Sequence, residues 1–124
     1  MIAPQELKIE NWVYDRSKTR IVKVWGIESN HDQITVNHAN GSAIYKVDLK
    51  YIEPIELTEE WLLRLGYECN KNEYFISGFD RFNVFQSVKG SYIFCDDKKA
   101  VRYVKYVHQL QNLYYCLCGS ELII

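Results

Sequence analysis

Hydrophobic and polar positions alternate in short runs over the first half of the chain. Branched and aromatic residues are concentrated in residues 7–9, 12–14, 21–25, 34–36, 42–47 and 51–52, and polar turns separate these runs. Asn40-Gly41 is the strongest hairpin signal, because both residues accept a positive φ. Short strands joined by tight turns within about fifty residues predict an SH3-like small β-barrel or strongly bent sheet in residues 1–57.

A short helix is predicted where the β pattern stops at Pro54. Thr58 suits the N-cap position, and Glu59 and Glu60 fall in the first turn, where the helix dipole favours carboxylates. Gly66 suits the first position beyond the helix, since a left-handed residue there lets the last carbonyl groups find donors.

The second half of the chain returns to a β pattern and ends in a helix. Residues 74–76, 82–85 and 92–94 predict an antiparallel β-meander, and we favour a further strand over residues 101–105, where Val and Tyr are dense. Tyr106, Leu110, Leu113 and Leu117 recur at steps of four, three and four, which predicts an amphipathic helix that ends at Gly119. The chain is therefore predicted to be α+β, with this C-terminal helix packed on the meander of residues 58–124 and both parts forming one compact unit.

Composition and charge exclude several classes of protein. The 124 residues are 48% apolar, and 15 Lys and Arg oppose 16 Asp and Glu for a net charge of −1. Such a chain is too apolar and too nearly neutral for a disordered protein, and it lacks the strongly basic balance typical of nucleic-acid-binding domains. It has no apolar run near ~18 residues and no signal-like N-terminal segment, so we expect no membrane association.

Metal and catalytic motifs are absent from the sequence. No C-x-x-C pair occurs among Cys69, Cys95, Cys116 and Cys118, and the three histidines do not stand at zinc-finger spacing. There is no G-x-S-x-G, no Gly-rich phosphate loop and no H-E-x-x-H. We therefore expect reduced thiols, no metal, no cofactor and no enzymatic activity in a cytoplasmic protein.

Basic residues beside aromatic ones give a candidate nucleic-acid-binding surface. They form two groups: Arg16, Lys18, Arg20, Lys23 and Trp25 in the first turn and the strand after it, and Arg102, Tyr103 and Lys105 near the last helix. Cations with aromatic platforms can hold a single-stranded backbone and stack its bases. The alternative, which we favour, is a set of solvated charges on one strand face with the aromatic residues in the core.

The last helix carries an uncharged polar face that is a candidate protein-binding site. Its members are His108, Gln111, Asn112 and Tyr115, which recur at helical spacing and can all hydrogen-bond. The face could be solvated, or His108 could be an internal hydrogen-bonding group. It could also contact a partner protein or fasten the two parts of the chain together, since a purely solvated face would more usually carry Lys or Glu.

Two stretches of the sequence are similar to a known family. They are IEPIELTEEWLL at residues 52–63, continuing to LGY at 65–67, and KYVHQLQNLYY at residues 105–115. Together with residues 7–14, where Glu10 stands at a position that the family pattern fills with Gly, they resemble small uncharacterised proteins of Bacteroidetes-type gut bacteria and their prophages. The resemblance implies a shared fold and a mobile-element setting, and it brings no activity, cofactor or catalytic residue.

These observations lead to one hypothesis and two alternatives. We expect a non-enzymatic protein-binding module of phage or mobile-element origin, with an unknown protein as its partner. Nucleic-acid binding through the basic turn and strand is the first alternative, and a small enzyme of unknown type is the second. The sequence leaves the oligomeric state open.

Overall fold

The computed structural model describes residues 6–27, 33–39, 41, 43–76, 79–87, 91–97 and 99–118, with backbone only at 79–81 and 118. The predicted turn and helix-end residues Asn40 and Gly119 lie outside these ranges. The chain divides into two compact units, Met1–Ile55 and Glu56–Ile124, which we call the N-terminal and C-terminal units.

The N-terminal unit is a five-stranded antiparallel sheet. Its strands are β1 (Trp12–Asp15), β2 (Arg20–Ile27), β3 (Gln33–His38), β4 (Ile44–Asp48) and β5 (Ile52–Glu53). They lie in the order β4-β3-β2-β1-β5, so that β5 returns to pair with β1 after a 3-10 turn at Leu49–Tyr51. Alternate side chains on these strands, with Leu7 from the chain before β1 and Leu49 from the 3-10 turn, build one buried core. Its members are Leu7, Val13, Val22, Val24, Ile34, Val36, Val47, Leu49 and Ile52.

Three described residues of this unit, Glu10, Thr19 and Gly41, have a backbone in the left-handed region that favours glycine. Gly41 has φ +76°, and its N–H donates to the His38 carbonyl at 2.8 Å in the connection between β3 and β4. Glu10 has φ +82°, and its N–H donates to the Val24 carbonyl at 2.9 Å. An L side chain at such a φ is strained, so Glu10 occupies a backbone conformation that glycine adopts more readily.

The C-terminal unit combines a second antiparallel sheet with two described helices. Its strands are β6 (Glu68–Asn70), β7 (Glu73–Ile76), β8 (Phe79–Gln86), β9 (Tyr92–Asp96) and β10 (Lys99–Val104), and its helices are α1 (Glu59–Arg64) and α2 (Val107–Cys118). The strands follow one another in the sheet as β10-β9-β8-β7-β6. The α+β class is thus confirmed, as is the preference for a strand at residues 101–104.

The ends of α1 confirm the predicted caps. Thr58 Oγ1 accepts a hydrogen bond from the Trp61 N–H at 3.3 Å and caps the N-terminus. Gly66 has φ +101°, and beyond it the Tyr67 N–H donates to the Leu62 carbonyl at 3.0 Å. This glycine therefore reverses the chain so that β6 can begin directly after the helix.

Burial along α2 differs from the predicted stripe. Leu110 is buried as expected, and Val107 and Tyr114 are buried as well, but Leu113 is only half-buried and Leu117 is 45% exposed. The prediction is wrong at Leu117, because periodicity identifies the face of a helix and not how far along its axis the surrounding chain reaches. The N-terminal half of α2 is surrounded, and its last turn is open.

Candidate functional site

Strand β10 lies at one edge of the C-terminal sheet. It pairs with β9 on one side, and none of the described strands pairs with its other side. Every residue of β10 except Val104 is exposed, and Tyr103 retains 70% of its accessible surface. We call this unpaired side the β10 edge. Its backbone N–H and C=O groups form a template for hydrogen bonding with another chain.

A bulge interrupts the pairing of β10 with β9. Lys99 and Ala100 pair with Asp96 and Cys95, and the register then shifts so that Arg102 pairs with Phe94. Val101 is the additional residue. Bulges and lysines on a strand edge are common devices against indiscriminate strand pairing, and the β10 edge carries both.

A groove lies at the C-terminal end of β10. Its volume is about 530 Å³, and we call it the edge groove. The residues that line it come from β9, β10 and the chain before α1: Glu56, Leu57, Ser91, Tyr92, Tyr103, Val104 and Lys105. The Leu57 N–H donates to the Lys105 carbonyl at 2.9 Å, and Glu56 forms an antiparallel bridge with Tyr106. These contacts hold the chain before α1 beside the end of β10 as one wall of the groove.

Gln109 fixes the chain where β10 leads into α2. Its Oε1 accepts hydrogen bonds from the Lys105 N–H at 3.0 Å and from the Tyr106 N–H at 3.1 Å. The Lys105 ammonium lies 5.4 Å from the centre of the Tyr106 ring, a cation–π distance. The rim of the edge groove is therefore tied to the first turn of α2.

Neutral tyrosines lie beneath the edge groove. Tyr92, which lines it, packs edge-to-face on Tyr74 with ring centres 6.0 Å apart. Burial, followed by the negative charge of Glu59, raises the pKa of Tyr92. Burial, followed by a hydrogen bond with Cys69, raises the pKa of Tyr74. Both phenols are consequently protonated at neutral pH and offer hydroxyl groups rather than a base.

Three of the predicted nucleic-acid-binding residues in the N-terminal unit are engaged with the unit itself. Arg16 donates to the Lys50 carbonyl at 3.3 Å, lies 3.7 Å from Glu53 Oε1 and covers the Tyr51 ring at 5.6 Å. The Lys23 ammonium lies 3.1 Å from Glu10 Oε2 and 5.1 Å from the Trp12 ring. The Arg20 guanidinium lies 5.8 Å from the Tyr45 ring. Lys18 is exposed in the turn, and Trp25 is 49% exposed on β2.

A buried carboxylate organises this basic turn. Asp15 Oδ1 accepts from the Ser17 N–H at 2.9 Å and from the Ser17 hydroxyl at 2.6 Å, and Oδ2 accepts from the Tyr45 hydroxyl at 2.6 Å. Burial by itself would raise the pKa of Asp15, but these hydrogen bonds outweigh it and lower the pKa. Burial and the bond to Asp15 raise the pKa of Tyr45 to about 12.

The predicted protein-binding face of α2 is divided between interior and surface. His108 is 2% exposed and Gln111 is 1% exposed, so neither side chain is available at the surface. Asn112 is half-buried, and Tyr115 is 45% exposed. As a surface, the face is reduced to Asn112 and Tyr115, and the side chains of His108 and Gln111 are internal. The polar type of these residues misled the surface prediction, because residue type alone does not determine burial.

The candidate site that combines an open backbone with a groove is therefore the β10 edge. Three predicted residues, Arg102, Tyr103 and Lys105, lie there. The sequence did not indicate Glu56, Leu57 or Tyr92, which reach the groove only through strand order and the bridge to Tyr106. The density of Lys, Arg and Tyr around residue 102 was the one feature of the sequence that indicated this site.

The described ranges contain neither a candidate metal site nor a helix that could span a membrane. Within them, no group of three His, Cys, Asp or Glu side chains could hold a metal ion. Cys69, Cys95 and Cys116 are free thiols. Of the helices in the same ranges, none is long and apolar enough to cross a membrane. No protein-family model, curated protein or solved structure matches this chain.

Proposed function

We propose that the chain is a non-enzymatic protein-binding module and that the β10 edge, with the edge groove, is its binding site. The observation that carries the proposal is a solvent-exposed strand whose free side ends at a groove of about 530 Å³. Exposed strand edges bind extended peptides through main-chain hydrogen bonds, and adjacent pockets select side chains.

The groups in the edge groove support binding rather than catalysis. The groove is lined by Leu57, Tyr92 and Val104 together with a few polar groups, which is the composition of a recognition pocket. The pKa of Tyr92 is raised by its burial, which favours the neutral phenol, a group that can donate a hydrogen bond to a ligand.

We also infer that the N-terminal unit is an SH3-like, strongly bent sheet. In favour are the meander of four strands, the 3-10 turn at Leu49–Tyr51 and the return of β5 to β1. In a flat sheet, β1 and β4 would lie about 14 Å apart, since two strands separate them. Yet the Tyr45 hydroxyl on β4 lies 2.6 Å from Asp15 on β1, and a bond of that length requires the sheet to curl.

Peptide selection tests the proposed function. The intact protein is immobilised and presented with a library of random ten-residue peptides, and the enriched peptides are measured individually by calorimetry. Saturable binding that is lost when the protein is thermally unfolded is expected. A library that yields no binder contradicts the proposal.

Nucleic-acid binding is the second candidate function, and one observation favours it. Tyr103 is 70% exposed on β10, and the cations Arg102 and Lys105 are close to it in sequence; an exposed aromatic ring of this kind can stack a base. A gel-shift titration with single- and double-stranded DNA and RNA at two salt concentrations separates the candidates. A nucleic-acid-binding protein loses affinity steeply as salt rises, whereas the proposed module gives no retardation at micromolar concentration.

A phage or mobile-element setting is also part of the proposal. It is supported by the resemblance of residues 52–67 and 105–115 to small proteins of gut bacteria and their prophages. The genes beside this one provide the test, because phage structural or anti-defence genes are expected there.

A further inference from the structure

We infer that the β10 edge accepts an acidic, extended segment of a partner protein as an added strand, with carboxylates facing Lys99 and Arg102 and an apolar side chain entering the edge groove. The inference rests on the proposed function, because it specifies the partner's chemistry at the same site.

The charge of the edge identifies the kind of segment. Residues 99–105 read KAVRYVK, with three cations and no acid, although the whole chain has a net charge of −1. On β9, Asp96 is the register partner of Lys99. Arg102 has Phe94 as its register partner, so its charge has no acid opposite it on β9. An added strand would place its side chains about 5 Å from those of β10, where opposite charges attract and like charges repel.

The bulge determines the spacing that the segment needs. The register partners of Lys99, Arg102 and Val104 are Asp96, Phe94 and Tyr92, which alternate along β9 and so share one face of the sheet. The three β10 residues therefore stand on that face too, although Lys99 and Arg102 are three positions apart. In a regular added strand, every second residue would lie opposite one of these three β10 residues. The partner segment is therefore expected to have the sequence pattern acid-x-acid-x-apolar, or the reverse of it if the strand runs in the other direction.

The last position of this pattern coincides with the edge groove. Val104 and Tyr92 both line the groove, and both lie on the face that carries Lys99 and Arg102. An apolar side chain opposite Val104 would therefore enter the groove, while the neighbouring carboxylate would face Arg102. Main-chain hydrogen bonds would supply affinity, and these two contacts would supply specificity.

A second copy of this chain fits the edge less well than an acidic segment does. Two antiparallel β10 edges centred on Arg102 would put one Arg102 directly opposite the other. Like charges directly opposite one another destabilise strand pairing. Self-association through β10 is thus an alternative outcome of the experiment, measurable by sedimentation of the protein alone.

The test uses three ten-residue peptides and the intact, ¹⁵N-labelled protein. The peptides differ only at their centre, which reads Glu-Thr-Glu-Thr-Leu, Gln-Thr-Gln-Thr-Leu or Lys-Thr-Lys-Thr-Leu. We expect the acidic peptide alone to shift the amide resonances of β10 and to protect them from hydrogen exchange. Binding of the lysine peptide with equal affinity, or shifts confined to other strands, would overturn the inference.

Two charge reversals on the same sheet locate the site. Arg102→Glu is expected to weaken acidic-peptide binding about tenfold, and Lys99→Glu provides a second variant at the same edge. Lys71→Glu is the matched control, because Lys71 is exposed in the turn between β6 and β7 at the opposite edge of the sheet. Equal weakening by Lys71→Glu would show a general charge effect and overturn the inference. Thermal unfolding of all three variants verifies that each is folded.

Failure of the inference and failure of the proposed function give different results. If the random library selects peptides without an acidic pattern, the inference fails and the protein is still a binding module. If the selected peptides bind away from β10, the protein is a binding module with another site. If the library selects no peptide and nucleic acid is retarded in the gel-shift titration, both the inference and the proposed function fail. If the protein alone self-associates and Arg102→Glu changes its sedimentation, the edge binds a second copy, and the acidic segment is excluded as its occupant.

Discussion

The carboxylate of Asp15 accepts hydrogen bonds from Ser17 and Tyr45 in the interior of the N-terminal unit. Its pKa is lower in the folded chain than the ordinary value of 3.8. A group with a depressed folded pKa stabilises the fold fully above its unfolded pKa, and this stabilisation is lost as the pH falls through the folded value. The first turn is therefore expected to weaken in acid.

Asp15→Asn tests this dependence. The substitution removes the charge that Ser17 and Tyr45 hydrogen-bond, and it is expected to lower the free energy of unfolding at pH 7 by about 1–3 kcal/mol. The difference from the natural chain should shrink as the pH falls below about 4, because the unfolded chain then binds a proton at Asp15 that the folded chain binds only at lower pH. Urea denaturation at pH 7 and pH 3 measures the difference in unfolding free energy between the variant and the natural chain at each pH. The control is Asp97→Asn at an exposed turn, and an unchanged difference at pH 3 would contradict the prediction.

Glu10 provides a second prediction at the scale of one residue. Its φ of +82° is strained for any L side chain, and its carboxylate lies 3.1 Å from the Lys23 ammonium. Glu10→Gly removes the strain and the ion pair, whereas Glu10→Ala removes only the ion pair. We expect the glycine variant to be about 1 kcal/mol more stable than the alanine variant in urea denaturation. Equal stabilities would show that the left-handed backbone costs nothing here.

Among the secondary-structure elements, α2 shows how polar residues can belong to an interior. His108 and Gln111 stand beside Val107 and Leu110 in the surrounded half of the helix. The helical spacing of the polar residues suggested a common face, but it could not assign each residue to solvent or to the core. Burial depends on neighbours that are distant in sequence, and a helical period contains no information about them.

Lysine substitutions on α2 separate the buried position from the half-buried one. Gln111→Lys places an ammonium group where the side chain is 1% exposed, and it is expected to cost about 3 kcal/mol of stability. Asn112→Lys, one position along the same helix, is expected to change stability by less than about 1 kcal/mol. Thermal unfolding of the two variants measures the difference. Similar melting temperatures would show that Gln111 is accessible.

The strands could be predicted more fully than the site they form. Branched and aromatic runs indicated β1 to β4, and the density of Val and Tyr indicated β10, because strand propensity is a local property. The caps of α1 followed from Thr58 and Gly66 for the same reason. The edge groove could not be predicted, since Leu57 meets Lys105 only after the whole meander has formed between them.

At the scale of the whole molecule, charge is nearly balanced but unevenly distributed. Fifteen cations oppose sixteen acids in the chain, while residues 99–105 carry three cations and no acid. A balanced molecule exerts little long-range attraction, so electrostatic recognition at the β10 edge depends on contacts within a few ångströms.

Salt provides a prediction at this scale. Raising the salt concentration from 0.1 to 1 M shortens the screening length from about 10 to 3 Å. The affinity of the acidic peptide is expected to fall several-fold over this range, while a selected peptide without acids keeps its affinity. Titration calorimetry at both concentrations measures the two responses. If the affinity of the acidic peptide did not change with salt, its carboxylates would not face Lys99 and Arg102.

The bulge at Val101 has a consequence for how a partner is aligned. A regular strand edge looks the same after every two residues, so a partner can slide along it and find many equivalent positions. Val101 breaks that translational symmetry and makes one alignment differ from all its neighbours. The backbone of the β10 edge thus contains a fixed reference position for the register of an added strand. A partner segment could diverge widely in sequence and still be positioned to the residue.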